Sequence, residues 1–197
     1  MFSQTFYIYL HCLKDNVSLL TINYINMYKL IRCKEARDKN EMCQWISDQF
    51  NDPFDEVMGF LEEPSINWGM SVKALDENDK TIGFLTLSDY RIEEETEKIQ
   101  EDNPCLLKAL NKLNYISFFS FIVAPEYRGT KLNYDMIMSL EEDLKKYDFV
   151  FVPVQHQLKT HDYWKRWGGI QFYEDDESKF YAIPKNDKVK IAIDLLG

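Results

Sequence analysis

Residues 115–124, YISFFSFIVA, form a nearly continuous apolar run of mainly aromatic and β-branched side chains. A strand that is apolar at both alternating sets of positions is buried on both faces, which predicts a central strand of a covered sheet. The APEYRGT segment at 124–130 predicts a turn, and apolar residues then recur at helical spacing through 131–145. The first N–H groups of such a helix have no intrahelical partners. The segment therefore predicts a site for an anion such as a pyrophosphate.

The turn itself carries two residues that suit an anionic ligand. Arg128 can add a charge-assisted hydrogen bond to a phosphate at the mouth of the turn. Gly129 has no Cβ, so the backbone can approach a ligand closely at this point. Taken alone, the pair is also typical of an exposed surface turn, so the hypothesis depends on the elements around it.

The segments before the central strand alternate strand and helix patterns. They predict a strand at 28–33, a helix capped by Asp38 with Glu41 at capping-box spacing, a helix opening at Asp52-Pro53, and a hairpin of strands 68–75 and 80–90. Residues 91–104 are acidic and weakly periodic, which predicts a solvated helix or loop.

The segments after it predict a buried strand at 149–154, a short helix at 161–167 capped by Thr160, and a closing hairpin of 170–174 and 179–184. The order mixes hairpins with strand–helix–strand crossovers. It therefore predicts an α/β fold, a mixed sheet with helices on both faces.

Length and composition limit the class of protein. The 197 residues fit one domain, which we place at 27–184, with an N-terminal extension at 1–26 and a C-terminal tail at 185–197. A formal charge of −10 argues against non-specific binding of nucleic acid, which needs a basic surface. No stretch approaches the roughly 20 apolar residues of a membrane span. Four scattered cysteines favour a reducing compartment, the cytoplasm, over a disulfide framework.

The central segment resembles a known family. IVAPEYRGTKL is similar to motif A of the GNAT N-acetyltransferases, a strand ending in V-x-P-x-Y-R-G that leads into [Q/R]-x-x-G-x-[G/A]. The resemblance implies a GNAT-like fold with a splayed, largely antiparallel sheet, and acetyl-CoA as co-substrate. It implies that the backbone of Phe121, Ile122 and Val123 pairs with the pantetheine arm. The residues it implies at the pyrophosphate are Arg128, Gly129, Thr130, Lys131, Leu132 and Asn133.

Downstream and upstream segments agree with this resemblance. FVFVPVQHQ is similar to the next family strand, and Gln157 stands where the family has an Asn near the cofactor. DYWKRWGGIQFY resembles the family's Y-x-K-x-G-F segment, and KTIGFLTLSDY resembles its hairpin strand. Three positions depart from the pattern: Lys131 replaces a Gly, Asn133 replaces a Gly or Ala, and Trp164 stands at the usual general-acid position.

The catalytic candidates follow from the resemblance and from the residue types. Tyr163, one residue from the usual position, can protonate the thiolate of coenzyme A, or it can be a packing tyrosine. Asp89, or a water, can take the proton of the amine. The run Glu93–Glu95 can face a basic amine or form a solvated face.

Two histidines add a further possibility. His156 and His161 can relay a proton or serve as a base, or they can be structural. Their spacing also permits a metal, but we find no third ligand, so we predict no metal site.

The expected activity is transfer of an acetyl or similar acyl group from acyl-CoA to a primary amine by direct attack in a ternary complex. The acidic chain favours a cationic small-molecule or peptide acceptor by electrostatic steering. Two alternatives stay open. One is a GNAT-fold binding module that recognises a partner protein without turnover; the other is an ATP-binding protein, although the chain lacks a GxxxxGK[ST] loop.

Overall fold

The computed structural model describes residues 28–92, 97–158 and 160–196. Its strands are β1 (Tyr28–Arg32), β2 (Ile66–Asp76), β3 (Thr81–Ser88), β4 (Tyr115–Val123), β5 (Phe149–Gln155), β6 (Ile170–Glu174) and β7 (Ser178–Pro184). The described helices are α1 (Glu35–Phe50), α2 (Phe54–Leu61), α3 (Glu97–Asp102), α4 (Pro104–Leu110), α5 (Leu132–Met138), α6 (Glu141–Leu144), α7 (His161–Arg166) and α8 (Asp187–Leu196), with a 3₁₀ turn at Pro125–Tyr127. The predicted extension at 1–26 and the run Glu93–Glu95 lie outside the described residues.

The strands form one sheet in the order β1-β2-β3-β4-β5-β7-β6. Among the described strands only β4 and β5 run parallel, and the other neighbours are antiparallel. Every residue of β4 is buried, which confirms the predicted central strand. Along β5, Val150 and Val152 belong to one core while Phe149 and Phe151 belong to another, so helices cover both faces of the sheet. The predicted fold class is confirmed.

A bulge in β4 marks the middle of the sheet. The register against β3 shifts by one between the pairs Thr86–Ser120 and Leu87–Phe118, so Phe119 is the extra residue. Its ring stacks on Phe60 of α2, with centroids 4.4 Å apart.

β4 and β5 separate directly beyond this point. Their pairing runs from Tyr115–Phe149 to Ser117–Phe151 and ends there, although both strands continue. On its other edge β5 pairs with β7 along its whole length, and the N–H of His156 donates to Glu177 O. The alternation of an antiparallel ladder then directs the backbone of residues 151, 153 and 155 towards β4.

Pro153 explains why the ladder stops. Its backbone nitrogen occupies a position that faces β4, and proline has no N–H to donate. The bulge at Phe119 lies opposite on the other strand. The two strands therefore diverge and leave a gap between residues 118–123 of β4 and the second half of β5.

The first helix starts earlier than the sequence predicted. α1 begins at Glu35, so Asp38 lies inside the helix and does not stand at its N-cap. The Asp38 carboxylate reaches back to accept from the N–H of Lys34 and is fully buried against Lys73, whose Nζ lies 2.7 Å away. Burial favours the neutral acid, but the hydrogen bonds from Lys73 and Lys34 prevail and lower the pKa of Asp38. Glu41 completes the network with a 2.6 Å contact to Lys73.

The C-terminal segment, to which the sequence analysis assigned no structure, contains α8. Val189 and Ile193 of α8 are buried in the second core, against the α4 region. Asp148, directly before β5, anchors this segment. Its carboxylate accepts from the Asn114 N–H at 2.9 Å, from Asn186 at 2.8 Å and from Lys188 at 2.8 Å. Among the described residues, no helix has the length and apolar character that a membrane crossing requires.

The Asp148 contacts predict an acid-sensitive anchor. The hydrogen bonds from Lys188 and the Asn114 backbone lower the pKa of Asp148 from 3.8 to about 2. A lowered folded-state pKa contributes stability above the unfolded pKa, and this contribution is lost as pH falls from about 4 to 2. Because solvent screens Lys188, we expect Asp148→Asn to cost about 1 to 2 kcal/mol at pH 7 and little at pH 2.

The measurement is urea unfolding of the wild type and the variant across this pH range. Asp187→Asn, which removes an exposed carboxylate at the start of α8, is the control and should change little. If Asp148→Asn lowers the free energy of unfolding equally at both ends of the pH range, the ionised Asp148 carboxylate is not the source of the stability.

Candidate functional site

The turn after β4 joins the strand to α5 through a glycine in the left-handed region. Gly129 has a φ of 75°, in the left-handed region that side chains with a Cβ adopt at a cost. The Thr130 hydroxyl donates to Tyr127 O at 2.7 Å and accepts from the Leu132 N–H at 3.3 Å. Arg128 folds back so that its Nε donates to Val123 O at 3.0 Å. These bonds fix the loop between β4 and α5.

Lys131 does not close this loop, although it replaces a family glycine. Its φ of −67° and ψ of −13° are ordinary right-handed values, so glycine is not needed here. Its side chain is exposed, pairs with Asp135 and lies over the ring of Tyr134, with Nζ 5.5 Å from the centroid. The departure at this position therefore leaves the space beside the loop open.

That space is a cavity of about 400 Å³ between the loop, α5 and α7. Its lining combines loop backbone, aromatic rings and one guanidinium: Gly129, Thr130, Asn133, Tyr134, Tyr163, Arg166 and Trp167. Tyr134 and Trp167 stack with their centroids 5.3 Å apart. The cavity thus offers flat apolar surfaces, a cation and polar backbone to one ligand.

Asn133 carries an unsatisfied group in this lining. The residue is 8% exposed, and its buried Oδ1 has no hydrogen-bond partner among the described residues. A buried acceptor without a donor costs free energy, so native structures rarely keep one without a reason. Asn133, where the resembled motif has Gly or Ala, therefore brings a buried amide oxygen to the cavity lining.

Two glycines position the α7 side chains. Gly168, with a φ of 79°, ends the helix, and the Gly169 N–H donates to Trp164 O at 3.0 Å. A Cβ on Gly169 would lie 2.8 Å from Trp164 O, so this close approach requires glycine. The helix ends one residue earlier than predicted, and the hydroxyl of Thr160 makes no cap hydrogen bond although the residue occupies the N-cap.

The β4 edge beside the gap presents main-chain groups. The Ala124 N–H donates to Ile82 O, which fixes the phase of the β3–β4 ladder. The N–H and C=O of Phe121 and Val123 therefore point away from β3, into the gap, while those of Ile122 bond to β3. These residues were predicted to pair with a pantetheine arm, and two of them have the orientation that such pairing requires.

The structure brings some predicted site residues together and separates others. Tyr163 lines the cavity with Gly129, Thr130 and Asn133. Leu132 is fully buried in the core, so only its backbone can contact a ligand. Gln157 is exposed, donates to Gln155 Oε1 at 2.6 Å and is not in the lining.

Asp89 lies outside the cavity lining. It follows β3 at the end where Ser88 pairs with Ser117, opposite the end of β4 that carries the loop. Its exposed carboxylate accepts from Asn67 Nδ2 at 3.2 Å. Its role as a base stays a prediction.

The two histidines form contacts of their own outside the cavity. His156 bonds Asp175 O at 2.8 Å, and His161 Nδ1 bonds the Tyr181 hydroxyl at 3.2 Å. Burial, then Lys179 and the neighbouring His156, lower the pKa of His161, so it is neutral at pH 7. Among the described residues no group of three His, Cys, Asp or Glu side chains could hold a metal ion.

Sequence reasoning missed three lining residues: Tyr134, Arg166 and Trp167. Helical spacing could have found two of them, because residues 163, 166 and 167 share one face of a helix. Tyr134 follows Asn133 on the first turn of α5 and could have been expected near the same ligand.

Comparison with solved structures identifies the fold of this chain. No protein-family model matches the sequence, and no curated protein matches it significantly. Among solved structures, the GNAT family N-acetyltransferase YhbS from Escherichia coli in complex with CoA is similar over 86% of this chain and 86% of its own, at 15% identity and a TM-score of 0.57.

Two further solved structures are similar to this chain in fold. The PaiA N-acetyltransferase from Thermoplasma acidophilum in complex with coenzyme A is similar over 80% of this chain and 98% of its own, at 11% identity and a TM-score of 0.52. Arabidopsis thaliana NAA60 in complex with a bisubstrate analogue is similar over 79% of this chain and 96% of its own, at 15% identity and a TM-score of 0.51. At these identities the likeness establishes the fold, and the chain has the fold of the GNAT N-acetyltransferases.

The positive φ of Gly129 leads to a stability prediction. Gly129→Ala has to hold an alanine in the left-handed region, which costs about 1 to 2 kcal/mol. Gly59→Ala is the matched control, because a Cβ there has open space on α2 and should be neutral or stabilise by up to about 1 kcal/mol. Urea unfolding of both variants checks the difference; equal stabilities would show that the loop relaxes at no cost.

Proposed function

We propose that this protein is an acyltransferase that moves an acetyl or similar acyl group from acyl-CoA to a primary amine. The observation that carries the proposal is the β4 edge: its main chain at Phe121 and Val123 faces away from β3, on the side where β4 and β5 have stopped pairing, and the strand ends at a fixed loop beside a 400 Å³ cavity. An extended, amide-containing chain with a phosphorylated end matches both features.

The residues present fit the phosphate end of acyl-CoA. The backbone amides of Gly129, Lys131 and Asn133 are the proposed donors of the loop, whereas those of Thr130 and Leu132 donate within it. Arg166 places a cation in the cavity lining of a chain whose formal charge is −10, and Arg128 and Lys131 flank the lining residues Gly129 and Thr130 in sequence. The Asn133 Oδ1 acceptor suits the hydroxyl and amide donors that coenzyme A carries. Two of the similar solved structures contain coenzyme A, which supports the same class of ligand here.

The proposed reaction is direct attack. The amine nitrogen attacks the thioester carbonyl carbon, a C–N bond forms and the C–S bond breaks. The gap-facing N–H groups of Phe121 and Val123 are the donors that would polarise the carbonyl oxygen. The hydroxyl of Tyr163 would give a proton to the departing thiolate, and a water or Asp89 would take the proton of the amine. The acidic chain favours a cationic amine, either a small molecule or the end of a peptide.

Binding of acetyl-CoA is the first test. We expect the wild type to bind acetyl-CoA with a micromolar Kd in isothermal titration calorimetry. Arg128→Ala should weaken binding about tenfold, because it removes a charged donor and frees the Val123 carbonyl. Gly129→Trp should abolish binding, because the indole would occupy the cavity.

Gly59→Trp is the matched control, since it adds the same side chain where a Cβ meets open space. It should bind acetyl-CoA as the wild type does. No binding by the wild type, or equal binding by Gly129→Trp, would contradict the proposed site.

Turnover is the second test. The assay measures release of free thiol from acetyl-CoA with a panel of polyamines, amino acids and peptide N-termini. For an amine that is acetylated, Tyr163→Phe should lower kcat on the order of a hundredfold with a smaller change in KM. The control is Tyr173→Phe on β6, which removes a hydroxyl that donates to Asp102 of α3. Tight binding without turnover of any amine would favour the binding module instead.

A further inference from the structure

The cavity beside the loop has more room than a phosphate group fills. Its volume of about 400 Å³ lies in the range of pockets that hold a small molecule. Three of its side chains, those of Asn133, Tyr134 and Trp167, lie outside the resembled motif pattern, which has Gly or Ala at 133 and leaves 134 and 167 unspecified. They point to a ligand group that this chain recognises with side chains of its own.

Two of these side chains offer a flat apolar surface. Tyr134 of α5 and Trp167, which directly follows α7, stack with their ring centroids 5.3 Å apart and their planes 27° apart. Tyr134 stays 48% exposed, although burial of a large aromatic side chain is favourable. A planar ring of a ligand can cover this pair, because every nucleobase has a π-face that stacks on aromatic side chains.

The third side chain restricts which ring fits. Asn133 is 8% exposed, and its Oδ1 has no hydrogen-bond partner among the described residues. An amide oxygen only accepts, so it needs a donor from the ligand. At the nucleotide end of coenzyme A the donors are the adenine amino group and the ribose hydroxyl. The amino group belongs to the flat ring that suits the aromatic pair, and asparagine is a common partner of adenine at protein–DNA interfaces, where its oxygen accepts from N6.

Cations lie next to the aromatic pair. Arg166 lines the cavity, and Lys131 Nζ lies 5.5 Å from the centroid of the Tyr134 ring. Lys131 pairs with Asp135, but its side chain is 70% exposed, so it can turn to a ligand without leaving a buried site. Coenzyme A carries a phosphate monoester on the ribose next to its base. A base bound in the cavity therefore brings an anion close to these cations.

We propose that the cavity is a nucleobase subsite, in which the adenine of acyl-CoA stacks on the Tyr134–Trp167 pair and its amino group donates to Asn133 Oδ1. The proposal rests on the proposed function, because it takes acyl-CoA as the ligand. It names the class of acyl donor, which is a thioester that carries an adenine nucleotide. The same arm and thioester on a carrier protein present no base, so such a donor leaves the cavity unfilled and binds weakly.

Three ligands test the subsite by isothermal titration calorimetry with the full-length protein: acetyl-CoA, its analogue with hypoxanthine in place of adenine, and acetyl-4′-phosphopantetheine, which lacks the nucleotide. Hypoxanthine has a carbonyl oxygen where adenine has the amino group. We expect the wild type to bind the hypoxanthine analogue about tenfold more weakly than acetyl-CoA, because a donor to Asn133 is replaced by an acceptor. Acetyl-4′-phosphopantetheine should bind on the order of a hundredfold more weakly.

Two variants separate the contributions. Asn133→Ala should bind acetyl-CoA and the hypoxanthine analogue equally, and it should not lower the free energy of unfolding, because it removes a buried acceptor without a partner. Tyr134→Ala should weaken acetyl-CoA binding about tenfold and leave acetyl-4′-phosphopantetheine binding unchanged. Phe54→Ala, which removes an aromatic ring of similar exposure on α2, is the matched control and should change neither Kd.

The outcomes distinguish this proposal from the proposed function. If acetyl-CoA and acetyl-4′-phosphopantetheine bind the wild type equally, or if Tyr134→Ala binds acetyl-CoA as the wild type does, no base stacks in the cavity and the subsite is wrong, while the acyl-CoA site stands. If the preference for adenine over hypoxanthine is absent in the wild type or persists in Asn133→Ala, the assigned hydrogen bond is wrong. If none of the three ligands binds the wild type, the proposed function fails and the subsite fails with it.

Discussion

The site depends on the point at which β4 and β5 stop pairing. Up to Ser117 and Phe151 the two parallel strands share a ladder. Beyond it, Pro153 cannot donate towards β4, and the bulge at Phe119 shifts the opposing backbone. Main-chain groups inside a protein need partners. Of the groups that face the gap, the Val123 carbonyl accepts from Arg128. Under the proposed function, this edge is the surface that recognises the arm of acyl-CoA.

Different elements lie at the two ends of this gap. The loop at Gly129 and the cavity beside it suit the charged end of a ligand, and α7 covers the place where the gap begins. Gly168 and Gly169 fix α7, because one ends the helix with a positive φ and the other lets β6 approach Trp164 O closely. In the cavity lining, the buried Asn133 Oδ1 has no hydrogen-bond partner among the described residues.

The sequence predicted the order of strands and helices well, because the runs at 115–124 and 149–154 and the stripe after Gly129 are strong local patterns. It predicted Gly129 and Tyr163 at one site. It could not predict that Pro153 faces β4, because this depends on the β7 register. Asp38 was misplaced as a cap because its burial depends on Lys73, far away in sequence. Whether Lys131 closes the loop could not be predicted either, because it depends on φ and ψ values that residue type alone does not give.

Amide hydrogen exchange along β4 tests the central claim most directly. With acetyl-CoA bound, exchange at Phe121 and Val123 should slow, because their N–H groups face the gap, while exchange at Ile122, already bonded to β3, should change less. Residue-resolved exchange by nuclear magnetic resonance, with and without acetyl-CoA, gives the comparison. Binding of acetyl-CoA without slower exchange at Phe121 and Val123 would show that the ligand does not use this edge and would contradict the account.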